Sequence, residues 1–218
     1  SSAASDVYKR QILEQCVEFG VKTIELGVQS ASDRVIELNR RGHVFEDVIR
    51  AAEMIKSFGI ELGLQMMLGM YGSDPKTDIE TCRKIIELEP KCTRIYPTLV
   101  LSGTALESLY IRGEYIPYTL ETAVSTAKRC LLMFRKAGVE VIRIGLYPGE
   151  DLRSEGNIVA GPFHSAFGEL VENAVYKDKI EEEIIQKRLR DCDYEIIAPS
   201  SDCLLYTSDA ADDSLRVD

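Results

Sequence analysis

Six cysteines and two histidines are the side chains of this chain best suited to metal or thiol chemistry. Their spacing does not gather them. Cys16, Cys82, Cys92, Cys130, Cys192 and Cys203 include no C-x-x-C pair, so neither a four-cysteine zinc site nor a disulfide framework is written into them. Reduced thiols in a cytoplasmic protein are the simpler expectation. Side chains able to hold a small polar molecule stand elsewhere, in or just after apolar runs. Gln29 closes TIELGVQ, and Arg40 and Arg41 follow in NRRGH. A primary amide both donates and accepts hydrogen bonds, and a guanidinium pairs fork-to-fork with a carboxylate.

The elements that would position these residues follow from periodicity. Ile12–Phe19 reads as a helix ended by Gly20, and Thr23–Gln29 as a buried strand. Ser32 could cap a short helix, DRVIELNRR. Glu46–Phe58 places Val48, Ile49, Ala52 and Ile55 at helical spacing and stops at Gly59. Ile60–Leu68 is the next strand, and Thr77 with Glu80 three residues on looks like a capping box before a helix carrying Ile85, Ile86 and Leu88. Thr93–Leu101 is a third strand with an irregular end at Pro97. A short helix near Ala105–Tyr110, a long one from Thr119 to Lys136, a strand Val139–Leu146, a loop-rich stretch Tyr147–Pro162 and a helix over His164–Leu189 complete the pattern. Apolar strands alternating with amphipathic helices predict an α/β fold with parallel pairing. Four such units make a partial (β/α) TIM-like barrel, half of a closed one or part of an open one, whose chemistry collects at the C-terminal strand ends. Those ends are Gln29–Ser30, Leu68–Ser73, Thr98–Ser102 and Leu146–Pro148.

Composition fits a soluble globular chain: 218 residues, 45% hydrophobic, 28% charged, formal charge −10. That charge argues against a protein that coats nucleic acid, although a local basic patch remains compatible with it. No apolar run reaches the roughly 20 residues of a membrane span, so no membrane partner is expected. The two ends read differently. SSAASDVYKRQ (Ser1–Gln11) and CLLYTSDAADD (Cys203–Asp213) are translations of opposite strands of one transposase sequencing adapter, and SLRVD fits its continuation. Such scars stand outside fold reasoning. The expected division is 1–11 adapter-derived, 12–146 partial barrel, 147–202 C-terminal extension and 203–218 adapter-derived, with both biological termini cut away.

The ordered blocks IELGVQS, NRRGH, LGLQMMLGMYG, RIYPTLVLSGTALESLY, VIRIGL and VAGPFHSAFGELV resemble the radical S-adenosylmethionine family of the Elongator catalytic subunit, particularly its shorter bacterial branch. The resemblance spans about Thr23 to Glu172. It implies an enzyme that binds S-adenosylmethionine and a [4Fe–4S] cluster, receives electrons from a reductant protein, and acts on tRNA at the wobble uridine. Family members ligate the cluster through C-x-x-x-C-x-x-C, which this chain lacks, so the triad is expected upstream and the fragment alone is expected to be inactive. By resemblance, Gln29 meets the cofactor's methionine or ribose portion, Arg41 its carboxylate with Arg40 as rival, Gln65 the ribose hydroxyls and Met67 the adenine. Met66 reads as core. His43 divides evenly between a structural and a substrate-side role. Tyr96 could face substrate, stack on the cofactor or fill the barrel wall. His164 reads as a loop-to-helix anchor, and the acidic stretch Asp178–Glu183 as a solvated helix face. Met70-Tyr71-Gly72 stands where relatives usually carry Leu-Pro-Gly. Two other readings stay open: a non-catalytic small-molecule or partner-binding α/β module, and an unrelated TIM-barrel lyase or aldolase. The last would want a Lys or a metal-binding cluster at the strand ends, and none is found.

Overall fold

The computed structural model describes residues 2–146 and 157–187, with side chains from Lys9 onward. Its elements, in chain order, are α1 (Ser2–Glu18), β1 (Thr23–Gln29), α2 (Asp33–Leu38), α3 (Phe45–Ser57), β2 (Glu61–Leu68), α4 (Pro75–Glu87), β3 (Cys92–Pro97), β4 (Val100–Leu101), α5 (Ala105–Ile111), α6 (Leu120–Lys136), β5 (Glu140–Ile144), β6 (Ile158–Ala160) and α7 (Phe167–Gln186). Strands β1, β2, β3 and β5 form one parallel sheet in that order. Helices alternate with these strands along the chain, which is the expected partial (β/α) barrel.

Strand alternation gives the sheet two unlike faces. One is apolar: Leu62, Leu64, Met66 and Leu68 of β2 and Ile95 of β3 are buried in a single core with Val48, Ala52 and Ile55 of α3. Cys82 and Ile85 of α4, Phe134 of α6 and Val171 of α7 join the same core. Each fully buried Leu or Ile contributes on the order of 2 kcal/mol. The other face, which lines the inside of the partial barrel, is polar. Glu25 and Gly27 lie beside Gly63 and Gln65, which with Met67 lie beside Cys92, Arg94 and Tyr96, while the register shift sets Gln29 opposite Met66.

Local chemistry explains where the elements depart from expectation. The fourth helix begins at Pro75, two residues before Thr77, because the Asp74 carboxylate accepts from the Thr77 N–H at 2.7 Å and Pro75 has no N–H to leave unpaired. Asp74, and not Thr77 with Glu80, is therefore the cap. Ser32 stands at the N-cap of α2, but its hydroxyl makes no capping bond. Pro97 ends β3, and the chain resumes as β4 in a separate antiparallel pair with β6. That pair falls partly in the stretch expected to be loop; three residues are too short for strand periodicity to register. The first helix runs through the adapter-like segment, and of its described side chains only Leu13 is buried. The expected loop over 147–156, the last residues of the expected His164–Leu189 helix, Cys192, Cys203 and the 203–218 segment lie outside the described residues.

Candidate functional site

At the C-terminal end of β1, Gln29 adopts φ 64°, a left-handed conformation, where the ladder to β2 shifts register between Gly27 and Gln29. That turn folds its amide back over the inner face. A Cβ built on Gly27 would lie 2.3 Å from Gln29 Nε2 and 3.7 Å from Gln65 Oε1, so the glycine leaves the space that both amides share. Gln29 is 7% exposed, and its Oε1 is buried without a hydrogen-bond partner. An unsatisfied buried acceptor costs about 1–3 kcal/mol, which marks the oxygen as available to an incoming donor. Gln65 donates through Nε2 to the Met66 carbonyl at 2.8 Å. Met67, one register step beyond, is half-buried beside Tyr96.

Beneath these residues lies an ion pair. Arg94 reaches across β2 to Glu25, with Nε and Nη2 donating to its two carboxylate oxygens at 2.5 and 2.9 Å. Gly63 stands between them, and a Cβ there would fall 2.6 Å from Glu25 Cγ. The bridging guanidinium holds the Glu25 carboxyl below its usual range. Arg94 Nη1 also donates to the Tyr96 hydroxyl at 3.3 Å, so Tyr96 is oriented from below and belongs to the inner face. Neither Glu25 nor Arg94 was singled out in the sequence. Their opposite charges at alternating positions of neighbouring runs were the available signal.

The turn after β2 is wired by a residue that sequence reading missed. Asp78, in the first turn of α4, is buried and accepts from the Gly69 N–H at 2.9 Å, the Ser73 hydroxyl at 2.5 Å and the Tyr118 hydroxyl at 2.8 Å. Burial pushes its carboxyl up to about 6, and the three donors oppose the shift. Tyr115 donates to the Gly69 carbonyl at 2.6 Å. Burial raises the Tyr115 and Tyr118 phenols, so both remain proton donors. The signal was present: Asp78, Cys82 and Ile85 share one helical stripe, and a carboxylate on a core stripe demands partners.

The loop after β1 is the opposite. Arg40 and Arg41 are both exposed. His43 is half-buried; its Nδ1 lies 3.3 Å from the Arg41 carbonyl and its Nε2 is buried without a partner. His43 lines a cleft with Asp33, Glu37, Arg40 and Asp47, away from the paired glutamines. His164 Nδ1 accepts from the Ala166 N–H at 3.1 Å, an anchoring bond just ahead of α7. Among the described residues no group of three His, Cys, Asp or Glu side chains is placed to hold a metal ion.

An open parallel α/β barrel segment with its polar groups at the C-terminal strand ends defines the class. Consecutive stretches match the Radical SAM superfamily, over residues 2–85, and the Radical_SAM C-terminal domain, over residues 90–177. The chain belongs to the radical SAM superfamily. It is 37% identical over 115 residues to a tRNA uridine(34) acetyltransferase of Methanocaldococcus jannaschii, covering 51% of this chain and 21% of that protein. It is 28% identical over 131 residues to Elongator complex protein 3 of Homo sapiens, covering 59% and 24%. The solved archaeal Methanocaldococcus infernus Elp3 with an N-terminal deletion superposes with a TM-score of 0.68 at 33% identity, over 76% of this chain and 38% of that one. The chain thus spans about a fifth to a quarter of the length of these two relatives.

Proposed function

We propose that this chain is part of a radical S-adenosylmethionine enzyme that modifies tRNA, and that its inner-face mouth holds the cofactor. The supporting observation is the buried, partnerless Oε1 of Gln29, whose amide folds into the space over Gly27. S-adenosylmethionine presents an ammonium and two ribose hydroxyls, each a donor suited to that oxygen. When bound, this cofactor supplies the family's 5′-deoxyadenosyl radical. By the family resemblance, Gln29 would take a donor from its methionine or ribose portion, Gln65 would serve the ribose, Met67 the adenine and Arg41 the carboxylate. His43 and Tyr96 take the substrate side, with Tyr96 oriented by Arg94.

The residues present do not fit the [4Fe–4S] cluster, because no C-x-x-x-C-x-x-C occurs in the sequence. Its ligands belong to a part of the parent protein outside residues 12–202, and the chain alone carries no radical chemistry. A reductant protein would serve that cluster in the cytoplasm. No described helix is long and apolar enough to cross a membrane.

Isothermal titration with S-adenosylmethionine tests the reading in the parent protein that includes the upstream cysteines. Gln29→Leu and Arg41→Ala are each expected to weaken binding about tenfold or more, the worth of one charge-assisted or buried hydrogen bond. Arg40→Ala is expected to do less. Unchanged affinity in the Gln29 and Arg41 variants overturns the assignment.

A further inference from the structure

A second cleft, of about 400 Å³, opens between the end of α2 and α5, lined by Leu38, Asn39, Arg40, Tyr71, Leu109 and Arg112 among others. It lies beside the turn after β2, at the same end of the sheet as Gln29. We propose that this cleft takes one nucleotide of an RNA substrate, with Arg40 and Arg112 on its phosphate and Tyr71 with the aliphatic walls against its base. The proposal rests on the tRNA reading above and assigns that substrate a place.

Three observations carry it. The first is charge. No acidic side chain lines this cleft, whereas the adjoining one around His43 presents Asp33, Glu37 and Asp47. In a chain of formal charge −10, two guanidiniums on an acid-free wall form a local anion site. Arg112 pairs with Glu114, which is exposed and outside the cleft lining, and an exposed pair of this kind is readily exchanged for phosphate.

The second is rigidity. Asn39 Nδ2 donates to the Tyr71 carbonyl at 2.8 Å and to the Val35 carbonyl at 2.7 Å, tying α2 to the turn. The Tyr71 ring meets Tyr115 edge-on at 6.1 Å, and Tyr115 is itself bonded to Gly69. Gly72, at φ 82°, lets Leu38 approach so closely that a Cβ there would lie 2.5 Å from Leu38 Cδ1. The aromatic wall is therefore fixed before any ligand arrives, which lowers the entropic cost of binding.

The third is Arg40 itself. Bonds from the Arg41 N–H to the Ile36 carbonyl and from the Arg40 N–H to the Glu37 carbonyl close α2 in a Schellman turn, and Arg40 is its left-handed residue at φ 51°. The chain uses Gly20, Gly59, Gly113 and Gly138, all with φ near 71°, just beyond α1, α3, α5 and α6. An arginine there is disfavoured against glycine, because its Cβ crowds the following carbonyl oxygen. The other exception, Glu89 after α4, lies within 3.7 Å of Lys56 and so has a partner. Arg40 holds its unfavourable place on the rim of both clefts.

That geometry supplies a clean test. Arg40→Gly removes the guanidinium while suiting the backbone, so it is expected to keep or raise the melting temperature. Binding of a fluorescein-labelled anticodon stem–loop RNA, followed by polarisation, is expected to weaken about tenfold in Arg40→Gly and in Arg112→Ala. The double variant should lower the slope of log affinity against log salt by about one, the share of a single phosphate. Arg83→Ala, on the exposed side of α4, should leave affinity unchanged. Photocrosslinking with 4-thiouridine in the RNA loop should map to residues 38–40, 71 or 105–112. If wild type binds the RNA but the cleft variants bind it equally, or the crosslinks map elsewhere, the cleft assignment fails and the tRNA reading stands. If wild type binds no RNA, both fail for this chain.

Discussion

Two loops leave the same end of the sheet in opposite condition. The turn after β2 has its amide, hydroxyl and carbonyl groups gathered by Asp78, Tyr118 and Tyr115 in a buried network. The loop after β1 exposes two guanidiniums and holds Gln29 Oε1 and His43 Nε2 without partners. The contrast separates a scaffold from a contact surface. A saturated network has nothing left to offer a ligand, whereas unsatisfied groups on a fixed frame do. Damage to the first loop should therefore appear as lost stability, and damage to the second as lost affinity.

The largest effect is expected at Asp78. Asp78→Ala leaves the Gly69 N–H and two hydroxyls short of an acceptor in a buried site, a cost of about 3 kcal/mol or more. Asp78→Asn can keep all three contacts, with its oxygen taking Gly69 and Tyr118 and its amide donating to Ser73. The pair also carries a pH signature. The folded carboxyl is raised from 3.8 to about 6, so its contribution is fully present below about pH 4 and is lost as pH rises through 6. Two units correspond to about 3 kcal/mol. Melting temperatures from pH 4 to 7 should therefore fall less steeply in Asp78→Asn than in wild type. Parallel profiles would show that Asp78 is not the titrating group.

Gly72→Ala should come next, because Gly72 is where the wired turn touches α2. Its φ of 82° penalises a methyl group by about 1 kcal/mol in denaturant unfolding, while the 2.5 Å approach to Leu38 Cδ1 is relieved by moving the end of that exposed side chain. A neutral result would mean that the two loops are not mechanically joined.

Gln29→Leu should move stability in the other direction or not at all. Replacing an amide whose oxygen is buried and unpartnered by an apolar group of similar size removes a desolvation cost and gains up to about 1 kcal/mol, read by the same unfolding midpoint. A destabilisation beyond 1 kcal/mol would mean that Gln29 serves the fold, and would dissolve the distinction between the two loops.

The same contrast explains what could be read from the sequence. Strand β1 spans the expected Thr23–Gln29, and β2 and α3 fall within a residue of expectation, because apolar periodicity reports burial directly. Gln29 stood out because it is a polar residue closing an apolar run, whereas Gln65, inside its run, was reached only through the family resemblance. The Asp78 network was not found, since it joins residues 69, 73, 78, 115 and 118 through side chains whose meeting depends on the path of α5 and the loop after it. Arg40 was seen only as a rival to Arg41. That it occupies a left-handed turn position is a property of the backbone that side-chain pattern does not carry.

The smallest expected effect lies at the two ends of the sequence. Residues 1–11 and 203–218 are proposed to be adapter-derived and to contribute nothing selected for this fold. Helix α1 nevertheless runs from Ser2 to Glu18, so the first segment is helical where it joins the protein. Its side chains from Lys9 to Ile12 are exposed, and the buried contact belongs to Leu13, beyond the junction. Helix continuity alone is a weak constraint, because a short solvent-exposed extension adds hydrogen bonds at nearly the entropy that fixing it costs. Removing Ser1–Gln11 and Cys203–Asp218 together should therefore shift stability by less than about 0.5 kcal/mol in thermal unfolding. A clear fall in melting temperature would show that the first segment supports Leu13 in the core, and would make α1 a third region that behaves like the wired turn.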